Sequence, residues 1–311
     1  MHGLEDAVPA SERGTETAFV LGGGGVLGAY EVGMLRALDE AGIRPDLIVG
    51  TSVGALNGAV IAADPDRAVA RLTELWRSDV VRTAFAGSWA ARLSTLARTG
   101  THLHPNDPLR GVLSETVQVS RIEELAVPFQ CVAASVERAA AHWFTRGPLV
   151  EAVLASCAVP GLLPPVVIEG EHFYDGGLVH SIPIGRAVLL GARRVYVLHV
   201  GRIEQPLAPP RRFWEVGMVA FEIARRHRFA EDLATLPPGV EVHVLPAGVT
   251  EQISPLRYRD VSQVSACIDR AYDASSRYLA NGEDEGRHRR RPRCFHHASC
   301  AGSCWLRSSS R

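Results

Sequence analysis

The stretch Thr17–Asp64 reads TAFVLGGGGVLGAYEVGMLRALDEAGIRPDLIVGTSVGALNGAVIAAD. The same grammar occurs in it twice. TAFVL is a short β-rich run that stops at four glycines. An amphipathic helix follows over about Ala29–Glu40, with Val32, Leu35 and Leu38 at helical spacing and Gly42 just beyond as a stop signal. Leu47-Ile48-Val49 is a second buried strand, ending at Gly50. A small-residue helix runs from Ala55 to Ala63, where Asp64-Pro65 ends it. Strand, turn and helix repeated in this way predict an α/β fold with parallel strands.

Outward from this stretch the pattern continues. Residues 66–100 read mainly as helix, with Leu72, Leu75 and Trp76 on one face. Strands are predicted at Phe129–Ser135, Val195–Val200 and Val240–Leu245, with shorter ones at Val166–Ile168 and Phe173-Tyr174 around a Gly170 turn. Further helices are predicted over Val150–Cys157, Arg211–Leu236 and Tyr258–Leu279. No repeat of solenoid period occurs. From Asn281 onward hydrophobic periodicity ends and arginine is dense, which predicts a disordered tail. The tail's Cys294, Cys300 and Cys304 match no common zinc-finger spacing, even with His288, His296 and His297 nearby.

Composition excludes several chemistries. All 33 basic residues are arginine, and there is no lysine. Walker-type phosphate loops, Schiff-base enzymes, Ser-Lys dyads and protein kinases all need a lysine amine. A net charge of −1 gives no reason to expect a nucleic-acid partner. Apolar residues at 46% and charged residues at 22% are ordinary for a globular protein. Cys131, Cys157 and Cys267 lie in apolar contexts and read as buried free thiols. The N-terminal residues have no basic or apolar segment of a secretory signal. The run LIVGTSVGALNGAVIAA is slightly short for a membrane span and is interrupted by Gly, Thr, Ser and Asn. A cytoplasmic protein with at most peripheral membrane contact is therefore expected.

Three motifs carry chemistry. Gly22–Gly28 (GGGGVLG) lies between a strand and a helix, where glycine amides and a helix N-terminus can form an anion-binding nest. Gly23, Gly25 and Gly28 also satisfy G-x-G-x-x-G, so a dinucleotide-binding oxidoreductase is the rival reading. That rival expects an acidic residue ending the second strand, and Gly50-Thr51-Ser52 stands there instead. The second motif is Gly50-Thr51-Ser52-Val53-Gly54, G-x-S-x-G at a strand-helix junction. This is the context of a nucleophile elbow, which presents the Ser52 hydroxyl on a sharp turn. Its alternative is a plain helix N-cap. The third motif is Asp175-Gly176-Gly177, alone no more than a turn signal. In the company of the other two, Asp175 is the candidate base. Its apolar setting after Phe173-Tyr174 would raise its pKa from about 3.9 and improve it in that role.

In their order and spacing these motifs resemble the patatin-like phospholipases. The resemblance rests on GGGGVLGAYEVGML, GTSVG, SCAVPGLLPPVVIEG and the DGG followed by Pro183, and covers roughly residues 17–200. It implies a three-layer sandwich with a mostly parallel central sheet and helices on both faces. It implies a Ser-Asp dyad, here Ser52 and Asp175, and an oxyanion hole from the glycine motif, here Gly23, Gly24, Gly25 and Val26. Gly28, Gly50, Gly54, Gly176 and Gly177 are the remaining motif glycines. The implied activity is lipid acyl hydrolysis on a phospholipid or other acyl ester, through an acyl-enzyme, with no cofactor or metal. Head group, acyl length and oligomeric state are left open, and a catalytically silent lipid-binding relative is the remaining alternative.

The implied organisation is a flexible N-terminus (1–16), a catalytic domain (17–280) and the tail (281–311). Leu27 stands where many members carry a basic residue, and His180-Ser181 where an asparagine is frequent. A Ser-Asp-His order using His199 or His243 is also possible. Ser52 follows only the second predicted strand, however, and both histidines lie in strand patterns, so the dyad is preferred. Trp76, Phe85 and Trp89 are expected to be core residues, with a lid or acyl-binding wall as the alternative. Arg211, Arg212, Arg225, Arg226 and Arg228 read as a solvated helix face, or one meeting anionic head groups.

Overall fold

The computed structural model describes residues 15–78, 94–95, 97–200, 207–211, 213–248 and 261–286. The strands are β1 (Thr17–Leu21), β2 (Leu47–Thr51), β3 (Phe129–Ser135), β4 (Ala140–Phe144), β5 (Val166–Ile168), β6 (Glu171–Asp175), β7 (Arg194–Leu198) and β8 (Glu241–Val244). The helices are α1 (Ala29–Glu40), α2 (Val53–Ala63), α3 (Ala68–Arg77), α4 (Asp107–Val117), α5 (Leu149–Cys157), α6 (Ile184–Leu189), α7 (Phe213–Ala234) and α8 (Val261–Gly286).

All eight strands form one sheet, in the order β5-β6-β3-β2-β1-β7-β8, with β4 also paired to β3. The ladders linking β8, β7, β1, β2 and β3 are parallel, and those of β4, β5 and β6 are antiparallel. Both faces are covered. Phe19, Leu21, Ile48, Cys131 and Ala133 pack under the layer that contains α1, α2, α3, α4, α5 and α8. Ala18, Val20, Leu47, Val49, Val195 and Val197 face the other way, toward Ile184 and Ala187 of α6 and Phe229 of α7. Burial on both faces explains why TAFVL and LIVGT are continuous apolar runs without alternation. The fold is thus the expected three-layer α/β sandwich with a mostly parallel central sheet.

One pairing positions the site. Residues 131–132 of β3 pair with β2 on one edge and β4 on the other. Residues 133–135 pair with β6 on one edge, again opposite β4. Strands β2 and β6 therefore share an edge of β3 and meet end to end. Thr51 is opposite Val132, and Asp175 is opposite the next residue, Ala133. The last residue of β6 arrives beside the residue that follows β2, Ser52.

Some elements escape the sequence pattern. Strand β4 is mostly half-buried, so AAHWF shows no clean alternation. Helix α6 has six residues, too few to show a helical period. Helix α4 carries Pro108 and Gly111. Helix α8 runs on to Gly286, past the expected tail boundary at 281, because an established helix adds one hydrogen bond per residue without further burial. Phe85, Trp89, the N-terminal residues 1–14 and the cysteines and histidines of the tail lie outside the described residues. Trp76 is buried in the core, as expected. Among the described residues no helix is long and apolar enough to cross a membrane.

Strand β6 is pinned by Phe173, buried and edge-on to Phe144 at 5.3 Å. Replacing it with alanine leaves a cavity beneath the strand that delivers Asp175. Phe173→Ala is expected to lower stability by about 3–5 kcal/mol in a denaturant titration. A loss below about 1 kcal/mol would show that β6 is not anchored there.

Candidate functional site

Ser52 has φ 56° and ψ −129°, a conformation that costs a non-glycine residue roughly 1–3 kcal/mol. The surroundings enforce it. Its N–H donates to the Ser156 hydroxyl at 2.9 Å, and its carbonyl accepts from Ala55 N at 2.8 Å. A side chain at Gly54 would collide with the Leu21 carbonyl, and one at Gly50 would meet the Gly54 carbonyl oxygen at 2.6 Å. The two glycines of G-x-S-x-G are thus what lets β2 turn so sharply into α2. Ser52 occupies the N-cap position of α2, yet its side chain makes no capping bond. Instead its hydroxyl donates to Asp175 Oδ2 at 2.6 Å.

Asp175 closes β6 and opens a single 3-10 turn over Gly176–Leu178. Its Oδ1 accepts from Gly177 N at 2.7 Å, and its own N–H donates to the Ala158 carbonyl at 2.9 Å. Gly176 crosses so close to Val132 that a Cβ would strike the Val132 carbonyl. Burial pushes the Asp175 carboxyl up to about 6, outweighing the Ser52 hydroxyl, the Gly177 N–H and the Arg225 charge, which all pull it down. The direction matches the expectation from its apolar context.

The glycine run is divided between two tasks. Gly22 donates to Leu198 O and Gly23 to Ser181 O, each at 3.0 Å, so these two amides stitch the turn to its neighbours. The following 3-10 turn, Gly25–Gly28, has Leu27 N as its first internal donor, to Gly24 O at 3.2 Å. The Gly25 and Val26 amides precede that first bond and have no acceptor within the turn. Gly23 lies against the nucleophile candidate, since a Cβ there would be 3.3 Å from Ser52 Cβ. Gly28 is wedged between Trp76 and Val53.

The loop after Asp175 joins the motifs. His180 O accepts from Thr51 Oγ1 at 2.7 Å, and Ser181 O accepts from Gly23 N. The bond between Ser52 and Asp175 is direct, with no imidazole between them. His199 is buried beside Gly22 and held neutral, its pKa pushed well below the usual value by burial and by Arg225 and Arg226. His243 stacks on Tyr196 at 4.8 Å, on strand β8. The Ser-Asp-His order is therefore not assembled.

Sequence reasoning missed two features. Arg225, read as part of a solvated face, is buried, and its Nη1 donates to the Gly23 carbonyl at 2.6 Å. A buried polar cluster also lies under the glycine turn. Asn57 Nδ2 donates to Gly28 O at 3.1 Å and to Glu31 Oε2 at 2.8 Å, while Trp76 Nε1 donates to Asn57 Oδ1 at 3.0 Å. A signal for it exists. Glu31 stands four residues before Leu35, on the buried face of α1, and Asn57 is the polar residue in an otherwise small and apolar helix. Burial drives the Glu31 carboxyl well above its usual range, only partly offset by Asn57.

The chain is an α/β sandwich with a hydroxyl–carboxylate pair where parallel β2 meets antiparallel β6. The patatin-like phospholipase family model matches residues 19–188, more than half of the sequence, and the chain belongs to that family. Lysophospholipase nte1 of Aspergillus terreus is 31% identical over 191 residues, and that of Emericella nidulans 32% over 200. Each match covers 61% of this chain but 12% of the relative, so the chain spans a small fraction of these proteins' length. The crystal structure of VipD from Legionella pneumophila is 15% identical, with a TM-score of 0.43 over 86% of this chain and 67% of that one.

The raised pKa of Glu31 has a testable consequence. Its folded pKa lies above the unfolded value of about 4.3, so its contribution is complete below that pH and is lost as pH rises. Glu31→Gln keeps an acceptor for Asn57 and does not titrate. The melting temperature of Glu31→Gln is therefore expected to gain on the parent between pH 5 and pH 8. A gap that does not change with pH would show that Glu31 is ionised in the fold.

Proposed function

We propose that the chain hydrolyses carboxylic esters of phospholipids or related acyl lipids, with Ser52 as nucleophile and Asp175 as general base. The observation that carries this reading is the 2.6 Å bond from Ser52 Oγ to the buried Asp175 carboxylate. Asp175 takes the hydroxyl proton as Ser52 Oγ bonds to the ester carbonyl carbon. The oxyanion is received by the Gly24, Gly25 and Val26 amides. Gly23 shapes this hole, while its own N–H holds Ser181. The intermediate collapses to an acyl-enzyme as Asp175 returns the proton to the leaving alcohol. Water, deprotonated by Asp175, then attacks the acyl carbon, and a fatty acid leaves as Ser52 recovers its proton.

The elbow strain and the Asp175 environment both support this assignment. A carboxylate near 3.9 would be a poor base at neutral pH, and one near 6 is better matched to the task. The names of the Aspergillus and Emericella relatives make a lysophospholipid the first substrate to try. Contact with a lipid surface would be peripheral.

Ser52→Ala and Asp175→Asn are each expected to reduce kcat on a lysophospholipid and on a short-chain nitrophenyl ester by about 10³-fold or more. In the parent, kcat/KM should rise with pH through about 6, because only ionised Asp175 can accept the proton. Hydrolysis by Ser52→Ala at the parent rate would overturn the assignment.

A further inference from the structure

Arg225 belongs to none of the sequence motifs. It sits on α7, yet its guanidinium reaches the middle of the glycine run and donates from Nη1 to the Gly23 carbonyl at 2.6 Å. Its Nε lies 3.2 Å from a Glu222 carboxylate oxygen, so the cation is buried with a partner. Its charge acts on Asp175 and on His199 alike. The turn itself, GGGGVLG, has no charged side chain.

The geometry of a peptide bond gives this contact a directional effect. In a trans peptide the carbonyl and the next N–H point in opposite directions. No cis peptide bond occurs among the described residues. Holding the Gly23 carbonyl toward Arg225 therefore holds the Gly24 N–H away from it. A charged donor on that carbonyl also polarises the peptide and makes its N–H a stronger donor. Glycine supplies no side chain to fix the plane, so an outside clamp is the means available. Arginine suits the task because its planar fork can serve Glu222 and the Gly23 carbonyl together, which a single ammonium does less well.

We propose that Arg225 is a positioning residue for ester hydrolysis: from α7 it clamps the Gly23–Gly24 peptide so that the Gly24 amide faces the developing oxyanion. This rests on the reading that Ser52 attacks an ester and that the glycine turn receives the charge. The clamp acts on the transition state and leaves ground-state binding alone, so it belongs to kcat and not to KM. It also bears on Asp175. The groups facing that carboxylate are the Ser52 hydroxyl, the Gly177 N–H, the Cys157 thiol and, by its charge, Arg225.

The test is steady-state hydrolysis of a lysophospholipid and a nitrophenyl ester by the full chain, across pH. The set is the parent, Arg225→Met, Arg225→Lys, Arg228→Met and Ser52→Ala, each with a thermal melt. Arg225→Met should lose about tenfold or more in kcat with KM nearly unchanged. Its acidic limb should move to higher pH, because the charge that lowers the Asp175 pKa is gone. Arg225→Lys should keep the limb in place and recover part of the kcat. Arg228→Met, on the same helix but outside the site, should match the parent. Parent-like kcat in Arg225→Met, or a loss confined to KM, overturns the proposal. If Arg225→Met does not fold, Arg225→Lys decides, and parent-like kcat there overturns the clamp. With Ser52→Ala inactive, either result counts against Arg225 alone. Ser52→Ala as active as the parent removes the underlying reading and this proposal with it.

Discussion

Two strands that meet end to end on one edge of β3 determine the site. Strand β2 occupies the first half of that edge and β6 the second, with opposite directions. A parallel strand that stops halfway leaves unpaired backbone on its neighbour, and an antiparallel strand fills it. The chain must leave the sheet on both sides of the junction. It leaves after Thr51 through the Ser52 elbow, and after Asp175 through the Gly176–Leu178 turn. The Ser52–Asp175 bond spans that junction. Phe173, Gly54 and Gly176 are then requirements of one geometric fact, since each lets or makes a strand end arrive where it does.

The junction is also where polar groups leave water. Burial of Asp175 to a pKa of about 6 opposes folding at neutral pH by on the order of 3 kcal/mol. Three neighbours keep the cost from being larger: the Ser52 hydroxyl, the Gly177 N–H and Arg225. The single cation among them comes from α7, in the layer behind Val20 and Val49. The helix layer on that face therefore contributes to the electrostatics of the site as well as covering the sheet. Without lysine in the chain, arginine is the one permanently charged cation that could do so.

The elements and the two polar side chains of the site were legible for a shared reason. TAFVL, LIVGT and FQCVAAS are buried on both faces, so their apolar runs are unbroken, and G-x-S-x-G and D-G-G interrupt them with residues that only sharp turns tolerate. The meeting of β2 with β6 was not legible, because it depends on how two halves of β3 choose partners. Nor was the division of labour in the glycine run. Four identical residues carry no mark of which amide binds Ser181 and which remains within the site. Arg225, Arg226 and Arg228 look alike in sequence, and docking of α7 alone decides that Arg225 is the buried one. Glu31 is the instructive middle case. Its place on the apolar face of α1 marked a buried carboxyl, while Asn57 and Trp76, its network partners, come from two other helices.

The raised pKa values of Glu31 and Asp175 share one physical origin. Burial raises both carboxyls. The Ser52 hydroxyl, the Gly177 N–H and, least of the three, the Arg225 charge hold the Asp175 carboxyl to about 6. Glu31 accepts from the Asn57 amide, and its pKa stays well above the usual range. As pH rises past the ordinary carboxylate range, each carboxyl reduces the stability of the fold. The same rise ionises Asp175, the base of the proposed hydrolysis. Ionisation of the proposed base and stability of the fold are thereby set against each other at Asp175.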